Sequence, residues 1–263
     1  MRIAPSSIAR LLVACALACG LLSAGIASAQ VINTPPGADH YLVYQVLNPP
    51  TFTVPVAVGD QFIPFRNTVT FTLEYFMTPV NKNNEGIIDP VTHYTWWRID
   101  PAPFGATAVI TNQFGTDQGV SVYGSHYLLN PARKNQTGSI PPKNHYVVYD
   151  AFGLPPERPV ALEDQFGPWQ GVVDAMVFFA PPAMKIYQGL QFPIDDPVDH
   201  LAVYRLLNVV PPLTTGIPVI ARDEFGDWQL VLGPQQYLCV PSFKTGVVGT
   251  KSSTWGQIKT LYR

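Results

Sequence analysis

Apolar and polar residues alternate with a period of two along several short stretches, for example at Val54, Val56 and Val58 and through Thr68–Met77. Alternation of this kind predicts β-strands that bury one face. No stretch of eleven or more residues has the i, i+3, i+4, i+7 spacing of an amphipathic helix. The pattern therefore predicts an all-β protein, with an apolar run near the N-terminus as the only helical candidate.

Three short motifs recur in the same order four times. The first begins a strand at a histidine, the second joins an acid or amide to phenylalanine, and the third is Pro-x-x-Lys. The histidines recur about every 53 residues. They are His40, His93, His145 and His200; the phenylalanines are Phe62, Phe114, Phe166 and Phe225; the closing motifs are Pro79–Lys82, Pro131–Lys134, Pro182–Lys185 and Pro241–Lys244. This order indicates tandem duplication.

Each repeat has about three predicted strands, which cannot bury both faces alone, so neighbouring repeats must share a core. We predict repeats at 39–91, 92–143, 144–198 and 199–244, after a short lead at 30–38 and before a tail at 245–263 that suits an edge strand. Links rich in Asn, Gly, Asp and Pro are predicted loops at Asn81–Val91, Asn135–Asn144, Tyr187–Val198 and Thr245–Thr254. Packing as β-sandwich or barrel-like layers is favoured, and a four-bladed propeller-like ring is the alternative.

The N-terminus has the pattern of an export signal. Two arginines precede the apolar run Leu11–Ile26, and small residues at 27–29 fit a cleavage site after Ala29. The run is short for a membrane span. We therefore predict a signal peptide at 1–29 and a secreted, extracellular or periplasmic mature protein. Lipid anchoring at Cys15 or Cys19 is the alternative.

Composition narrows the classes of partner. The net charge is −2, and removing the two leader arginines makes the chain more acidic, so no electrostatic footprint for nucleic acid or anionic lipid is present. Charged residues make up 13% and aromatic residues 12%, which allows a substantial core. Only Cys239 remains after cleavage, and its apolar neighbours predict a buried strand position.

The three motifs together resemble those of an uncharacterised family of secreted bacterial repeat proteins, a domain of unknown function (DUF7450). That family's repeat looks like His-x-x-Cys-Tyr-x-Val, then Asp-Gln-Phe-Gly, then Leu-Cys-x-Pro-x-x-Lys. The first cysteine slot here holds Val43, Trp96, Val148 and Val203, and the second holds cysteine only at Cys239. If the family links these slots by disulfides, this chain depends on packing instead. The resemblance implies a family and no activity.

The four repeated histidines raise the question of metal binding. In a closed ring, His40, His93, His145 and His200 could converge on Zn²⁺, which takes four N, S or O ligands. The alternative is that each histidine makes the same local hydrogen bond in its own repeat. The second hypothesis is favoured because the residue occupies one slot in every copy, so we predict no metal and no cofactor.

The acid or amide of the second motif is predicted to cap a turn. Asp60, Asn112, Asp164 and Asp223 share a short oxygen acceptor, whereas the neutral Asn112 cannot act as a general base and brings no charge to a Ca²⁺ site. The glycine that follows three residues later, as in Gly115, supplies a positive φ. The first repeat has Ile63 at that position, so it is predicted to turn this corner differently.

Three tryptophans are the remaining candidates for binding a partner molecule. Trp97, Trp169 and Trp228 occupy positions that differ between repeats, and as exposed aromatics they could stack on a sugar ring or contact a protein. Covering the ends of the strands is the alternative role. No nucleophile elbow, H-E-x-x-H motif or phosphate-binding glycine loop is present.

The favoured function is a secreted or surface-associated, non-enzymatic binding or structural module. Its expected partner is a carbohydrate or another extracellular protein, with no nucleic acid and no membrane span. The alternative is an extracellular carbohydrate-active or metal-dependent hydrolase that uses repeat histidines and aspartates.

Overall fold

The computed structural model describes Pro35 and residues 38–135 and 138–249, with side chains as far as residue 246. Strands dominate these residues and no helix occurs among them, so the all-β prediction is confirmed. The strands are β1 His40–Val46, β2 Pro55–Gly59, β3 Arg66–Lys82, β4 His93–Asn112, β5 Gly115–Lys134, β6 His145–Gly153, β7 Arg158–Asp164, β8 Gly167–Ala180, β9 Pro182–Tyr187, β10 Leu190–Phe192, β11 His200–Val210, β12 Ile217–Asp223 and β13 Gly226–Gly249. The predicted signal peptide and the end of the tail lie outside the described residues.

Each repeat contributes two strands to a closed ring of antiparallel hydrogen bonds. The first strand of a repeat pairs with the long strand that follows the turn in the same repeat, and with that of the preceding repeat. The order is β1, β13, β11, β8, β6, β5, β4, β3 and back to β1. The four repeats therefore share one continuous sheet instead of forming four separate blades.

Aromatic side chains fill the interior of the ring, here called the lumen. Tyr75, Tyr127, Phe178 and Tyr237 come from four different strands, yet their rings form a closed cycle with centroid distances of 5.9, 6.0, 5.4 and 5.6 Å. Trp96, which is fully buried, packs against all four rings. Only side chains that point into the ring can meet in this way.

The residues in the two cysteine slots also face this lumen and lie opposite each other in register. Val43 pairs with Met77, Trp96 with Leu129, and Val203 with Cys239. All six side chains are fully buried. Burial raises the pKa of the Cys239 thiol well above its usual value, as expected of a packed, unreactive position. Apolar packing fills the places where the resembling motif has cysteine.

The outer face is covered by the hairpins that carry the second motif. In repeats 2, 3 and 4 the capping residue pairs directly with the glycine three residues later, which closes a two-residue turn. The glycine of repeat 2 has φ +125°, a conformation that disfavours other residues. In repeat 1, β2 ends at Gly59 and β3 begins at Arg66, so the predicted difference at this corner is confirmed.

Two predicted loops contain strands. The link Tyr187–Val198 contains β10, which pairs with the preceding β9 across a turn at Gln188 and Gly189, both with positive φ. The start of the tail, Thr245–Gly249, continues β13 and pairs with β4. The loop prediction was therefore wrong for these segments. Backbone pairing, with β9 of the same repeat in the first case and with β4 of repeat 2 in the second, outweighed a composition that is typical of loops.

Candidate functional site

The repeated polar residues meet at four places, each formed by two consecutive repeats and here called junctions. Every junction combines the histidine and the Pro-x-x-Lys lysine of one repeat with the glutamine or glutamate and the phenylalanine of the next. They are junction 1–2 (His40, Lys82, Gln113, Phe114), junction 2–3 (His93, Lys134, Gln165, Phe166), junction 3–4 (His145, Lys185, Glu224, Phe225) and junction 4–1 (His200, Lys244, Gln61, Phe62). Junction 4–1 closes the cycle.

The histidines at three junctions accept a hydrogen bond from glutamine. Nδ1 of His93 lies 2.8 Å from the carbonyl of Val91, which can only accept, so Nδ1 carries the proton and Nε2 accepts from Gln165 at 3.0 Å. His200 has the same arrangement with Val198 and Gln61. Burial lowers the pKa of His93 and His200 to about 4, so both are neutral at pH 7.

The lysine of each junction lies over the phenylalanine ring of the next repeat. The Nζ to centroid distances are 5.9 Å for Lys82, 4.7 Å for Lys134, 4.9 Å for Lys185 and 5.2 Å for Lys244. Contacts of this kind contribute about 0.5–2 kcal/mol each, more when the cation is desolvated. The phenylalanine thus binds the preceding repeat as well as packing in the core.

Junction 3–4 differs because Glu224 occupies the glutamine position. A carboxylate only accepts, so His145 donates from Nε2 to Glu224 at 2.8 Å, the reverse of the direction at junctions 2–3 and 4–1. Lys185 Nζ lies 3.3 Å from the other carboxylate oxygen. Burial raises the pKa of Glu224, but the His145 hydrogen bond and the Lys185 charge outweigh it and hold that pKa at about 2.

The surroundings of junction 3–4 are closed by the β9–β10 hairpin. Phe192 of β10 packs on the His145 ring at 5.3 Å and places its own ring 4.8 Å from Lys185 Nζ. Lys185 also donates to Oδ1 of Asn130 at 2.9 Å. Nδ2 of Asn130 and Nδ1 of His145 are buried with no hydrogen-bond partner among the described residues, and Oε2 of Glu224 has only its ion pair with Lys185. Buried polar atoms are usually paired, so this concentration is unusual.

The four predicted capping residues each accept a hydrogen bond from the backbone N–H two residues later, which is the geometry of an Asx turn. Each also bonds an aromatic residue of the repeat two positions away. The pairs are Asp60 with Tyr149, Asn112 with Tyr204, Asp164 with Tyr44 and Asp223 with Trp97. One side chain therefore closes its own turn and joins opposite repeats.

The tryptophans are not placed as the sequence suggested. Trp97 is 0% exposed and Trp169 6% exposed, and Trp228 is only partly exposed, so the expected exposure was wrong for the first two. The indole N–H groups of Trp169 and Trp228 donate to the caps Asp164 and Asp223. Both tryptophans follow their cap by five residues, a spacing that reveals this role in the sequence.

The four histidines lie in separate junctions, so the convergence required for a shared metal site does not occur. Within residues 38–135 and 138–249, no group of three or more His, Cys, Asp or Glu side chains is placed to hold a metal ion. The histidines instead make the repeated local contacts described above.

A small acidic cavity of about 100 Å³ lies at one end of the lumen, where Tyr41 and Tyr94 form part of its wall. Tyr146 donates to Oδ2 of Asp199 at 2.6 Å, while Oδ1 of Asp199 is buried without a partner in the described chain. Burial, and to a lesser extent the nearby Asp196, raises the pKa of Asp199 to about 6.

Sequence reasoning did not identify Asn130, Lys185 and Glu224 as a group. They belong to repeats 2, 3 and 4, so no spacing connects them. The available signal was substitution: Glu224 stands where the other repeats have glutamine, and Asn130 precedes the Pro-x-x-Lys proline where the others have Thr78, Pro181 and Val240.

The fold and the junctions define an all-β protein of four tandem repeats closed into a ring. The model of a family described as a repeat of unknown function (DUF7450) matches residues 93–241, more than half of the chain, so the chain belongs to this family. The resemblance noted in the sequence is thereby confirmed. No curated protein and no solved structure matches the chain.

Proposed function

We propose that this is a secreted or surface-associated, non-enzymatic repeat protein that serves as a binding or structural module. The cycle of junctions carries the proposal. The repeated histidines, lysines, capping residues and glutamines are engaged in contacts that hold one repeat to another. Side chains used in this way suit a rigid scaffold better than a catalytic centre, where at least one reactive group must face substrate.

A surface on β5, β6 and the residues after them supports a binding role. Tyr123 is 46% exposed and its ring lies 5.9 Å from that of Phe152, which is 68% exposed. Leu154, two residues after Phe152, is 76% exposed. Exposed aromatic rings can stack on sugars, and the Tyr123 hydroxyl adds a polar tip, so a carbohydrate is the partner we propose. Among the described residues, no helix has the length and apolar character of a membrane span.

The test is a thermal-shift panel of extracellular sugars and divalent metals on the full chain, repeated with Phe152→Ala. One sugar class should raise the melting temperature of the wild type and not that of Phe152→Ala. No shift with any sugar would contradict the carbohydrate partner and leave the structural role. Leu190→Ala, at an exposed position on β10, serves as the matched surface control.

The hydrolase alternative is tested by His93→Ala and Asp164→Asn. The proposed role predicts that both variants lose stability: His93→Ala removes the bond to Gln165, and Asp164→Asn removes the carboxylate oxygen that accepts from both Tyr44 and Thr78. A glycosidase activity that was present in the wild type and lost in either variant, with the melting temperature unchanged, would contradict the non-enzymatic proposal.

A further inference from the structure

Three side chains from three repeats meet inside junction 3–4. Lys185 Nζ lies 2.9 Å from Oδ1 of Asn130 and 3.3 Å from Oε2 of Glu224. Lys185 and Asn130 are 0% exposed, and the Glu224 side chain is 10% exposed. An amine is therefore held against the carbonyl of a carboxamide, with a carboxylate beside the amine.

The surroundings favour an amine that can react. The rings of Phe192 and Phe225 lie 4.8 and 4.9 Å from Lys185 Nζ and exclude water from it. Burial lowers the pKa of Lys185, although the charge of Glu224 opposes this. Lowering that pKa increases the fraction of neutral amine, which is the nucleophilic form. Fixed contact between the reacting groups replaces a bimolecular encounter and greatly raises the effective concentration.

We propose that Lys185 and Asn130 form an intramolecular isopeptide bond, with Glu224 transferring the proton. The Lys185 nitrogen attacks Cγ of Asn130 and a new C–N bond forms. Glu224 accepts the proton that leaves the amine and delivers it to Nδ2 of Asn130, the Cγ–Nδ2 bond breaks, and ammonia leaves. An amine and a primary amide become a secondary amide and ammonia, so no oxidant or reductant is needed. Nδ2 has no hydrogen-bond partner in the described part of the chain that would hold the leaving group.

The other junctions lack this combination. Junction 2–3 has Lys134 and the neutral Gln165, and junction 4–1 has Lys244 and the neutral Gln61. At junction 1–2, Lys82 pairs with Glu85, but the residue before the Pro-x-x-Lys proline is an amide only at Asn130. The carboxylate and the carboxamide both depart from the repeat pattern, and they do so at one junction. A simple buried ion pair would need only the carboxylate, whereas a cross-link needs the carboxamide as well.

The direct test is mass spectrometry of the purified, denatured full chain and of its proteolytic peptides. We expect a linked species containing the peptides of Asn130 and Lys185, lighter than their sum by one ammonia. Separate peptides at their sequence masses would overturn the proposal. Conversion of Asn130 to aspartate without a link would also overturn it.

Variants test the assigned roles. Glu224→Gln restores the residue found at the other junctions and should abolish the linked species, whereas a wild-type yield would overturn the role of Glu224. Gln165→Glu is the matched control at junction 2–3, where no asparagine is available, and should add no second link. Circular dichroism verifies that each variant is folded. The mass of the wild-type chain tests the cross-link even if a variant fails to fold.

Discussion

Junctions 1–2 and 3–4 both bury a lysine beside a glutamate, yet the two ion pairs differ in their exposure to solvent and in whether they join two repeats. Lys82 is 1% exposed and pairs with Glu85, three residues further along the chain, whose side chain is 26% exposed. Lys185 is 0% exposed and pairs with Glu224 of another repeat, at 10% exposed. The first pair lies near solvent within one repeat, while the second is enclosed and joins two repeats.

The comparison shows how one four-residue arrangement supports two chemistries. With glutamine, the junction is a neutral hydrogen bond in which the imidazole accepts. With glutamate, the imidazole must donate, and the lysine gains a buried anionic partner. A single change from amide to carboxylate reverses a hydrogen bond and creates an ionic cluster, without altering the backbone pairing around it.

The largest expected effect comes from Glu224→Ala. Removing one member of a buried ion pair leaves Lys185 and His145 without their anion, so the free energy of unfolding should fall by about 3–5 kcal/mol. This value applies to chains in which the proposed cross-link has not formed, because a linked Lys185 carries no charge. Urea denaturation measures the change. The matched variant Gln165→Ala removes only a neutral hydrogen bond and should lower stability by about 1–3 kcal/mol. Equal losses in the two variants would refute the distinction between the junctions.

The second expected effect concerns Asp199, the residue immediately before His200. Repeat 2 has the neutral Thr92 at the equivalent position, before His93. Asp199 faces Asp196, Asp39, Lys143 and Tyr146. Because its folded pKa of about 6 exceeds the usual 3.8, the folded state binds the proton more tightly. Its contribution to stability is therefore largest below about pH 4 and is lost as the pH rises through about 6.

Asp199→Asn should keep the hydrogen bond from Tyr146 while removing the charge. At pH 7 the variant should be more stable than the wild type by about 2–3 kcal/mol, with a flatter dependence on pH. Thermal unfolding from pH 4 to pH 8 measures this. An unchanged pH profile in the variant would show that another group is responsible.

The smallest expected effect concerns the cover over junction 3–4. Phe192→Ala removes a partly buried ring from Lys185 and His145, and should lower stability by about 1–2 kcal/mol. It should also slow formation of the proposed cross-link, because water would reach the amine. Leu190→Ala on the same strand is 63% exposed and should change stability by less than about 0.5 kcal/mol. A similar effect of both changes would mean that Phe192 does not shield the junction.

Much of the fold was accessible from the sequence because the motifs recur. The spacing of the histidines located the repeats, and alternation located the strands. The hairpin at Gln188–Gly189 also had a signal, since a glycine after a polar residue between apolar runs is typical of a two-residue turn. The surrounding composition, which is typical of a loop, obscures that signal.

The site was less accessible for a physical reason. Asn130, Lys185 and Glu224 become neighbours only when three repeats close around them, and sequence spacing carries no information on that approach. Trp97 and Trp169 were expected at the surface because they vary between repeats. Trp97 is instead the partner of Asp223 across the ring, and Trp169 bonds the cap Asp164 of its own turn.

Ring closure also constrains how the chain folds. Tyr41 on β1 pairs with Cys239 on β13, and Gln61 bonds His200, so the closing contacts join nearly the two ends of the described chain. An open array of repeats can grow from any point, with its end repeats left uncovered. In the ring none of the four described repeats is terminal. Pairing the first strand with the last costs a large loop-closure entropy before the contacts between them can offset it. Such high contact order predicts slow folding, limited by the meeting of the first and last repeats.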